Sequence, residues 1–437
     1  MKSRILTSAM SLIAMLAALL WGPVQLEGQN QPDKPKVARY TVVNLDTLGG
    51  NFSGGSGINN RGLITGWASL PDDTTVHAAA WMNESIFDLR TLGGPNSAVI
   101  WPVKDDLGLI AGIAETPDDD PYKENWSCSA FFPSVTHKVC RGFLWQNGVM
   151  TALPTLGGTH GYASAVNNRG QVVGWAENTV QDPTCVFPQI FQFRAVMWDL
   201  QGHVLELPPV AGDTTSAATA INDQGQVVGI SGICDRSVGR FSAIHAVLWQ
   251  DSIVKDIGNL GGIAWNTPTA INNRGHVVGF ANLHGPSTAP RRAFLWTNSG
   301  APPENLETLP GDVASFAWGI NDRDQVVGQS VGADGSRAVL WQDGVMTDLN
   351  SLLPPGSPRV EYANDINNRG EITGGACIRC DGTDALAVRL IPTFVGSSSD
   401  DSILKVQPQS SSRKGGLPEH VRKQLGKRMA LDPSDDQ

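Results

Sequence analysis

The chain has 437 residues, of which 41% are hydrophobic and only 17% are charged. Its 48 glycines and 27 prolines interrupt the sequence too often for a helical bundle or a coiled coil, and its apolar content is too high for global disorder. A formal net charge of -10 argues against nucleic acid as a partner of the main body of the chain.

The first segment in chain order, residues 1–26, has the pattern of an export signal. Lys2 and Arg4 precede an apolar run from Ile5 to Trp21, which is the arrangement of a secretory signal peptide. Because the run is close to the shortest length that spans a bilayer, an uncleaved N-terminal anchor is the alternative. No second long apolar run follows, so we expect no further membrane span.

Residues 38–393 are organised by an internal repeat. The motif Ile-Asn-Asn-Arg-Gly starts at Ile58 and recurs in full at Ile271 and Ile366. Variants of the motif begin at four further positions: Lys104, Val166, Ile221 and Ile320. Seven copies at a period of about 50 residues are typical of a propeller whose blades each have four strands.

Each repeat divides into four short strand patterns separated by turn residues. The first two flank the Asn-Asn-Arg-Gly turn, in which Asn can satisfy backbone groups and Gly can adopt a positive φ. The third ends in Trp and joins the fourth through pairs such as Asn147-Gly148, a strong hairpin signal. The third is also apolar at consecutive positions, as in Val247–Trp249, which predicts burial on both faces between neighbouring blades.

The two ends of the repeat region complement each other. The seventh repeat stops after its third strand, near Leu390, whereas the repeat region begins with a single strand at Tyr40–Leu45. The sequence therefore predicts an all-β fold, a seven-bladed β-propeller of four-stranded blades. In this fold the N-terminal strand completes the last blade and closes the ring, which removes an exposed edge.

The repeated segments resemble a known family. Thr-Leu-Gly-Gly at Thr47–Gly50, Ile-Asn-Asn-Arg-Gly at Ile58–Gly62 and Phe-Leu-Trp segments such as Phe143–Trp145 are similar to the HAF-repeat family of probable extracellular bacterial proteins. The resemblance covers residues 40–390. It implies a propeller-like protein outside the cytoplasm, and it carries no catalytic residues, cofactor or metal over to this chain.

Six cysteines support an oxidising compartment. All fall between the second and third strands of their repeats, and therefore on one face of the ring. From this placement we expect three disulfides: Cys128 with Cys140, Cys185 with Cys234, and Cys377 with Cys380. Fifteen connectivities exist in principle, and a metal site that uses Cys377 and Cys380 is the alternative for the last pair.

The same face carries the longest insertions and the candidate binding residues. Aromatic rings near the mouth of the central channel could stack on sugar rings, and packing between blades is the alternative. The candidates are Trp126, Tyr162, Trp265, Phe316 and Tyr362. We find no linear motif for a catalytic residue, a metal or a cofactor.

Three functions remain open at this point. The favoured one is a secreted or cell-envelope scaffold, monomeric, that binds a polysaccharide or a protein through the face with long loops. The alternatives are a propeller hydrolase or lyase acting on glycans, whose carboxylates would come from different blades, and a structural extracellular matrix protein. Residues 394–437 read as a flexible tail with a short basic helix.

Overall fold

A computed structural model describes residues 38–393, except residues 84, 103–104, 125–127, 129–130, 237–238 and 378–384. The predicted export segment, residues 1–26, and the predicted tail, residues 394–437, lie outside this part of the chain. In the part that is described, no helix has both the length and the apolar character that crossing a membrane requires.

The strands form seven antiparallel sheets of four strands each. We call the strands of each sheet a to d, from the central channel outward. Blades 1 to 3 contain the following strands, in the order a to d: β2 (Ser53–Ile58), β3 (Ile64–Ser69), β4 (Val76–Met82) and β5 (Ser85–Asp88); β6 (Ser97–Ala98), β7 (Ile110–Asp119), β8 (Lys138–Gln146) and β9 (Val149–Ala152); β10 (Gly161–Val166), β11 (Val172–Gln181), β12 (Phe191–Trp198) and β13 (Val204–Glu206).

Blades 4 to 7 follow the same order. Their strands are β14 (Thr215–Ile221), β15 (Val227–Gly232), β16 (His245–Gln250) and β17 (Ile253–Asp256); β18 (Thr267–Ile271), β19 (Val277–Asn282), β20 (Arg291–Trp296) and β21 (Glu304–Asn305); β22 (Ala314–Ile320), β23 (Val326–Gly332), β24 (Gly335–Gln342) and β25 (Val345–Asp348); β26 (Arg359–Ile366), β27 (Ile372–Cys377), β28 (Leu386–Thr393) and β1 (Arg39–Asn44). A 3-10 helix, Leu349–Leu352, follows β25.

The ring closes through the N-terminal strand. β1 pairs antiparallel with β28 along its whole length, and the bonding continues where the N–H of Leu45 donates to the carbonyl of Ala387 at 2.8 Å. Blade 7 then contacts blade 1, where the N–H of Ala387 donates to Oγ of Ser53 at 3.0 Å. The predicted seven-bladed propeller and its mode of closure are confirmed.

The hydrophobic core lies between blades rather than at one centre. The c strands are buried on both faces, as their apolar sequence predicts, and the Trp that ends most of them is largely buried. Its indole N–H donates a hydrogen bond to a backbone carbonyl in the segment that follows strand d of the preceding blade. Trp198 donates to the carbonyl of Pro154 at 2.9 Å and Trp249 donates to that of Pro208 at 2.7 Å. The repeated Trp therefore joins neighbouring blades by packing and by a hydrogen bond.

Candidate functional site

The central channel has two differently built ends. The turns between strands a and b, which carry the Asn-Asn-Arg-Gly motif, lie at one end, which we call the Asn face. The loops between strands b and c and the connections from strand d to the next strand a lie at the other end, which we call the loop face. Because strands alternate in direction, every repeat contributes to both faces.

The first asparagine of each motif closes its own turn and also reaches the next blade. In blade 3, Oδ1 of Asn167 accepts two N–H groups of the turn, both at 3.0 Å. Its Nδ2 donates to the backbone carbonyl of Asn222 in blade 4 at 2.9 Å. The same bond crosses the ring closure, from Asn367 to the carbonyl of Asn59 at 3.0 Å. One side chain therefore stabilises both a turn and an interface between blades.

The second residue of each motif forms a closed circuit of hydrogen bonds. The backbone N–H of each member donates to a side-chain oxygen of the equivalent residue in the next blade, at 2.7 to 2.9 Å. The members are, in order, Asn60, Asp106, Asn168, Asp223, Asn273, Asp322 and Asn368, which donates back to Asn60. The circuit links all seven blades at the channel mouth.

This circuit surrounds a recess of about 40 Å³. Asparagine and aspartate alternate around most of it, so the amides can donate to the carboxylates beside them. Oδ2 of Asp223 accepts from Asn168 at 3.0 Å and from Asn273 at 3.1 Å. Because the polar groups satisfy one another in this way, we interpret the Asn face as part of the architecture of the ring.

Blade 2 departs from this pattern at the first motif position. Asp105 stands where the other six repeats have asparagine, and it is buried. Its Oδ1 accepts from the N–H groups of Leu107 and Leu109, as an asparagine would, but its Oδ2 has no hydrogen-bond partner in the part of the chain that the structure describes. Burial raises the pKa of the Asp105 carboxyl above its usual range.

The loop face carries the disulfides. Cys128–Cys140 lies within the insertion of blade 2, and Cys185–Cys234 joins the insertions of blades 3 and 4, as the sequence predicts. Cys377 is also disulfide-bonded, whereas its expected partner, Cys380, lies outside the described residues. An oxidised Cys377 offers no thiolate to a metal, so the alternative metal site at this position is not supported.

A buried cluster of acids and one histidine lies beneath the insertions of blades 2 and 3. Oε1 of Glu124 accepts the N–H groups of Ile190 and Phe191, at 2.7 and 2.9 Å, and thereby joins the two insertions. Among the described residues, Oε2 of Glu124 has no hydrogen-bond partner. Burial, reinforced by the nearby Glu177 carboxylate, raises the pKa of Glu124 to about 7.

His160 completes the cluster. Its Nε2 lies 3.3 Å from Oδ2 of Asp120, and atoms of Asp120, Glu124 and His160 lie within 4.8 Å of one another, a spacing that a metal ion could bridge. However, Nδ1 of His160 accepts the N–H of Cys140 at 3.1 Å. In the neutral ring the proton then lies on Nε2, which faces the Asp120 carboxylate and is not available as a metal ligand. No motif in the sequence indicates this cluster, because its members come from two repeats.

Three of the predicted binding residues are buried. Tyr162 and Phe316 are each 1% exposed and Tyr362 is 4% exposed, so the expectation that these rings face solvent is wrong. The Tyr162 ring stacks on Phe131, which belongs to the insertion of blade 2, with 5.2 Å between ring centroids. The Phe316 ring packs against Phe280, with 5.1 Å between centroids. Packing between elements, the alternative interpretation, therefore accounts for these rings. Trp126 lies outside the described residues.

Two tryptophans meet across the channel. Trp318 lies on strand a of blade 6 and Trp101 follows strand a of blade 2, and their rings are 6.4 Å apart, edge to face. Trp318 also stacks on Phe316, with 5.8 Å between centroids. The sequence reading missed this pair. The sequence feature that could have indicated the pair is a departure from the repeat. Trp318 occupies a position where other repeats have small hydroxyl residues such as Thr219.

Trp265 is the one predicted binding residue that is described and only partly buried. It belongs to the connection between blades 4 and 5 on the loop face. The guanidinium of Arg291, at the start of β20, lies 5.3 Å from the Trp265 ring and 5.6 Å from the Phe316 ring. The N–H of Trp265 donates to the carbonyl of Arg240 at 3.2 Å. We call the group Arg240, Trp265 and Arg291 the Trp265 group.

Trp265 has an unusual backbone conformation. Its φ of 58° lies in the left-handed region, and it is the only Trp, Tyr or Phe among the non-glycine residues with positive φ in the described chain. A bulky residue in this region costs roughly 1–3 kcal/mol and persists only where its surroundings hold it. The surrounding structure therefore holds the Trp265 ring at this position, although the local backbone conformation is unfavourable for Trp.

Sequence comparison gives one family match. A family described as "Protein of unknown function (DUF3466)" matches residues 210–404 of this chain. No curated protein is significantly similar to the chain in sequence.

Structure comparison gives distant neighbours. Streptogramin B lyase shares 11% identity over 81% of this chain and 98% of its own, with a TM-score of 0.43. Oligogalacturonate lyase in complex with manganese shares 9% identity over 82% of this chain and 99% of its own, with a TM-score of 0.42. The acylaminoacyl peptidase of Pyrococcus horikoshii shares 10% identity over 74% of this chain, at a TM-score of 0.40, and the match spans only 49% of the peptidase. Likeness at this level carries no argument about function.

Proposed function

We propose that this chain is a secreted or cell-envelope scaffold that binds a polysaccharide at the Trp265 group on the loop face. The observation that carries the proposal is the Trp265 ring, partly exposed at the channel end where the insertions gather. An aromatic ring offers an apolar surface on which a sugar ring stacks, and rigid scaffolds commonly carry such sites on their loops. Two disulfides fit an oxidising compartment.

The test is binding of the full chain to a panel of bacterial and plant polysaccharides, followed by isothermal titration with the best ligand. We expect Trp265→Ala to abolish binding and Trp265→Phe, which keeps an aromatic ring, to retain most of it. Phe87→Ala is the matched control, because Phe87 is 52% exposed on the outer strand β5, away from the Trp265 group. Thermal unfolding of each variant checks the fold. Unchanged binding by Trp265→Ala would overturn the proposal.

The enzyme alternative makes a different prediction for the same panel. A hydrolase or lyase would shorten the bound polymer over time, and viscometry or reducing-end analysis would detect it. The acid cluster around Glu124 does not support this alternative, because Glu124 and His160 are both 0% exposed and cannot reach a polymer as they lie. The structural matrix alternative predicts self-association of the chain without glycan. The likeness of the repeats to the HAF family, an extracellular one, agrees with the favoured proposal.

A further inference from the structure

We infer that the buried Glu124 carboxyl is a pH-sensitive latch between the insertions of blades 2 and 3, closed while it is protonated and weakened once it ionises. The latch would operate whether or not a polysaccharide is the ligand of the loop face. Its evidence is the set of bonds that Glu124 makes from one insertion to the other and the charged groups that lie around it.

Glu124 bonds the insertion of blade 2 to that of blade 3. Its Oε1 accepts the N–H groups of Ile190 and Phe191, at 2.7 and 2.9 Å. Beside these bonds the Tyr122 ring meets the Phe191 ring edge to face, with 4.9 Å between centroids. Glu124 is 0% exposed, so its carboxyl is shielded from water while the insertions are joined. The ionisation state of this one side chain therefore bears on whether the insertions stay together.

Three further titratable groups lie around Glu124, and a cation lies beyond them. Asp120, on the same insertion, accepts the backbone N–H of Glu124 with its Oδ2. His160 lies just before strand a of blade 3, and atoms of Asp120, Glu124 and His160 are within 4.8 Å of one another. The backbone N–H of His160 donates at 2.7 Å to Oε2 of Glu177, on strand b, whose charge acts on Glu124. Arg141, on strand c of blade 2, acts on Glu177 in turn.

These groups do not balance one another when every carboxyl is ionised. Asp120 is 6% exposed, and Glu124 and Glu177 are both 0% exposed. His160 and Arg141 can supply at most two positive charges against three negative ones. A proton on Oε2 of Glu124 removes the excess, and among the described residues this oxygen has no hydrogen bond that the proton would displace. Burial and, next, the Glu177 charge raise the pKa of Glu124 to about 7.

The direction of the pH dependence follows from this balance. When the insertions separate, Glu124 meets water and its pKa returns to its usual value of about 4.5. The joined state therefore holds a proton that the separated state releases, and it is favoured fully below about pH 4.5. That advantage is lost as the pH rises through about 7, because the joined state must then keep a carboxylate buried beside Glu177.

Hydrogen exchange of the full chain tests the latch, because it measures the local opening of individual segments. We expect the protection of the Ile190 and Phe191 N–H groups to fall by at least about tenfold from about pH 5 to about pH 8, after correction for the intrinsic pH dependence of exchange. The amides of β16, a buried strand of blade 4, should keep their protection over the same range. A parallel loss in β16 would show unfolding of the whole ring and would overturn a local latch.

Two variants assign the effect to the carboxyls. Glu124→Gln keeps an acceptor for both N–H groups but cannot ionise, so its protection should be the same at both pH values. Glu177→Gln removes the neighbouring charge and keeps an acceptor for the N–H of His160, so its loss of protection should be smaller than that of the natural chain. Glu304→Gln, at an exposed position on β21, is the matched control and should behave as the natural chain does.

The outcomes decide the latch separately from the ligand. Unchanged protection in the natural chain, or an equal loss in the natural chain and in Glu124→Gln, would overturn the latch. A loss in Glu177→Gln as large as that of the natural chain would also contradict it, and this variant tests the latch even if Glu124→Gln does not fold. Both variants leave Trp265 in place, so the result does not bear on the proposed polysaccharide.

Discussion

The Asn face and the loop face are two ends of one channel, but their residues are related to the sequence repeat in opposite ways. At the Asn face every repeat supplies equivalent residues, and the circuit from Asn60 around to Asn368 links all seven blades. At the loop face the residues that matter depart from the repeat, as do Trp265 and Arg291. The comparison teaches that conserved repeat positions within this chain build the ring, and that a site for a ligand is to be sought where the repeats differ.

The largest expected effect comes from breaking the Asn face. Asn222 is buried, its Oδ1 caps two N–H groups of its turn and its Nδ2 donates to the carbonyl of Asn272 at 3.1 Å. We expect Asn222→Ala to lower the free energy of unfolding by about 2–4 kcal/mol, because several buried polar groups lose their partners. Denaturant unfolding followed by tryptophan fluorescence measures it, with the exposed Gln201→Ala as control. A loss no greater than that of the control would show that the first asparagine of the motif does not stabilise the ring.

A smaller, pH-dependent effect is expected at the loop face. Because the pKa of Glu124 in the folded protein is raised to about 7, the folded state keeps a proton that the unfolded chain releases near pH 4.5. Stability from this group is therefore complete below about pH 4.5 and is lost as pH rises through 7. Glu124→Gln removes the charge and keeps an acceptor for Ile190 and Phe191.

We expect Glu124→Gln to be more stable than the natural chain at pH 8, by up to about 3 kcal/mol, and equal to it at pH 4. Unfolding at a series of pH values measures the difference. Glu304→Gln, at an exposed position, should change neither value. A constant difference across the pH range would contradict the assignment, since it would not follow the titration of a carboxyl.

The smallest effect on stability is expected from restoring asparagine at the first motif position of blade 2. Asp105→Asn supplies the amide that the other six repeats have, and by their pattern it would donate to the carbonyl of Asn167. Burial raises the pKa of Asp105 in the folded protein. The stability that the protonated carboxyl contributes is therefore lost as the pH rises above the pKa that Asp105 has in the unfolded chain. We expect the variant to gain about 1 kcal/mol at pH 7 and nothing at pH 3, as measured by unfolding at both values. A variant that is less stable at pH 7 would contradict this account.

Much of the fold could be predicted from the sequence because the same turn and strand patterns recur in each blade. The Asn-Asn-Arg-Gly turn, the apolar third strand and the missing fourth strand of the last repeat together predict blade number and closure. The disulfides Cys128–Cys140 and Cys185–Cys234 could also be predicted, since strand parity places those cysteines on one face. These properties are local or topological, so they can be recognised in a single sequence.

The site could be predicted only in part, because it depends on how insertions lie over the ring. Position along strand a predicts that Tyr162 lies near the channel mouth, but it does not indicate that Phe131 covers the ring. The cluster of Glu124 and His160 likewise joins segments of different repeats. Arg291 departs from the repeat, because the other repeats have no charged residue at its position, but the sequence does not show that it lies beside Trp265.

Closure by the N-terminal strand has a consequence for how the molecule forms in time. β1 is synthesised before every other strand of the ring, and its partner β28 is synthesised after all of them. The first strand must therefore remain unpaired while more than three hundred residues are added, and contacts so distant in the chain slow the search for the native state. The entropic cost of joining such distant ends grows only with the logarithm of their separation, so the delay is kinetic more than thermodynamic. A chain cut short before Leu386 would never complete its last blade, and the ring would keep two open edges for a protease to recognise.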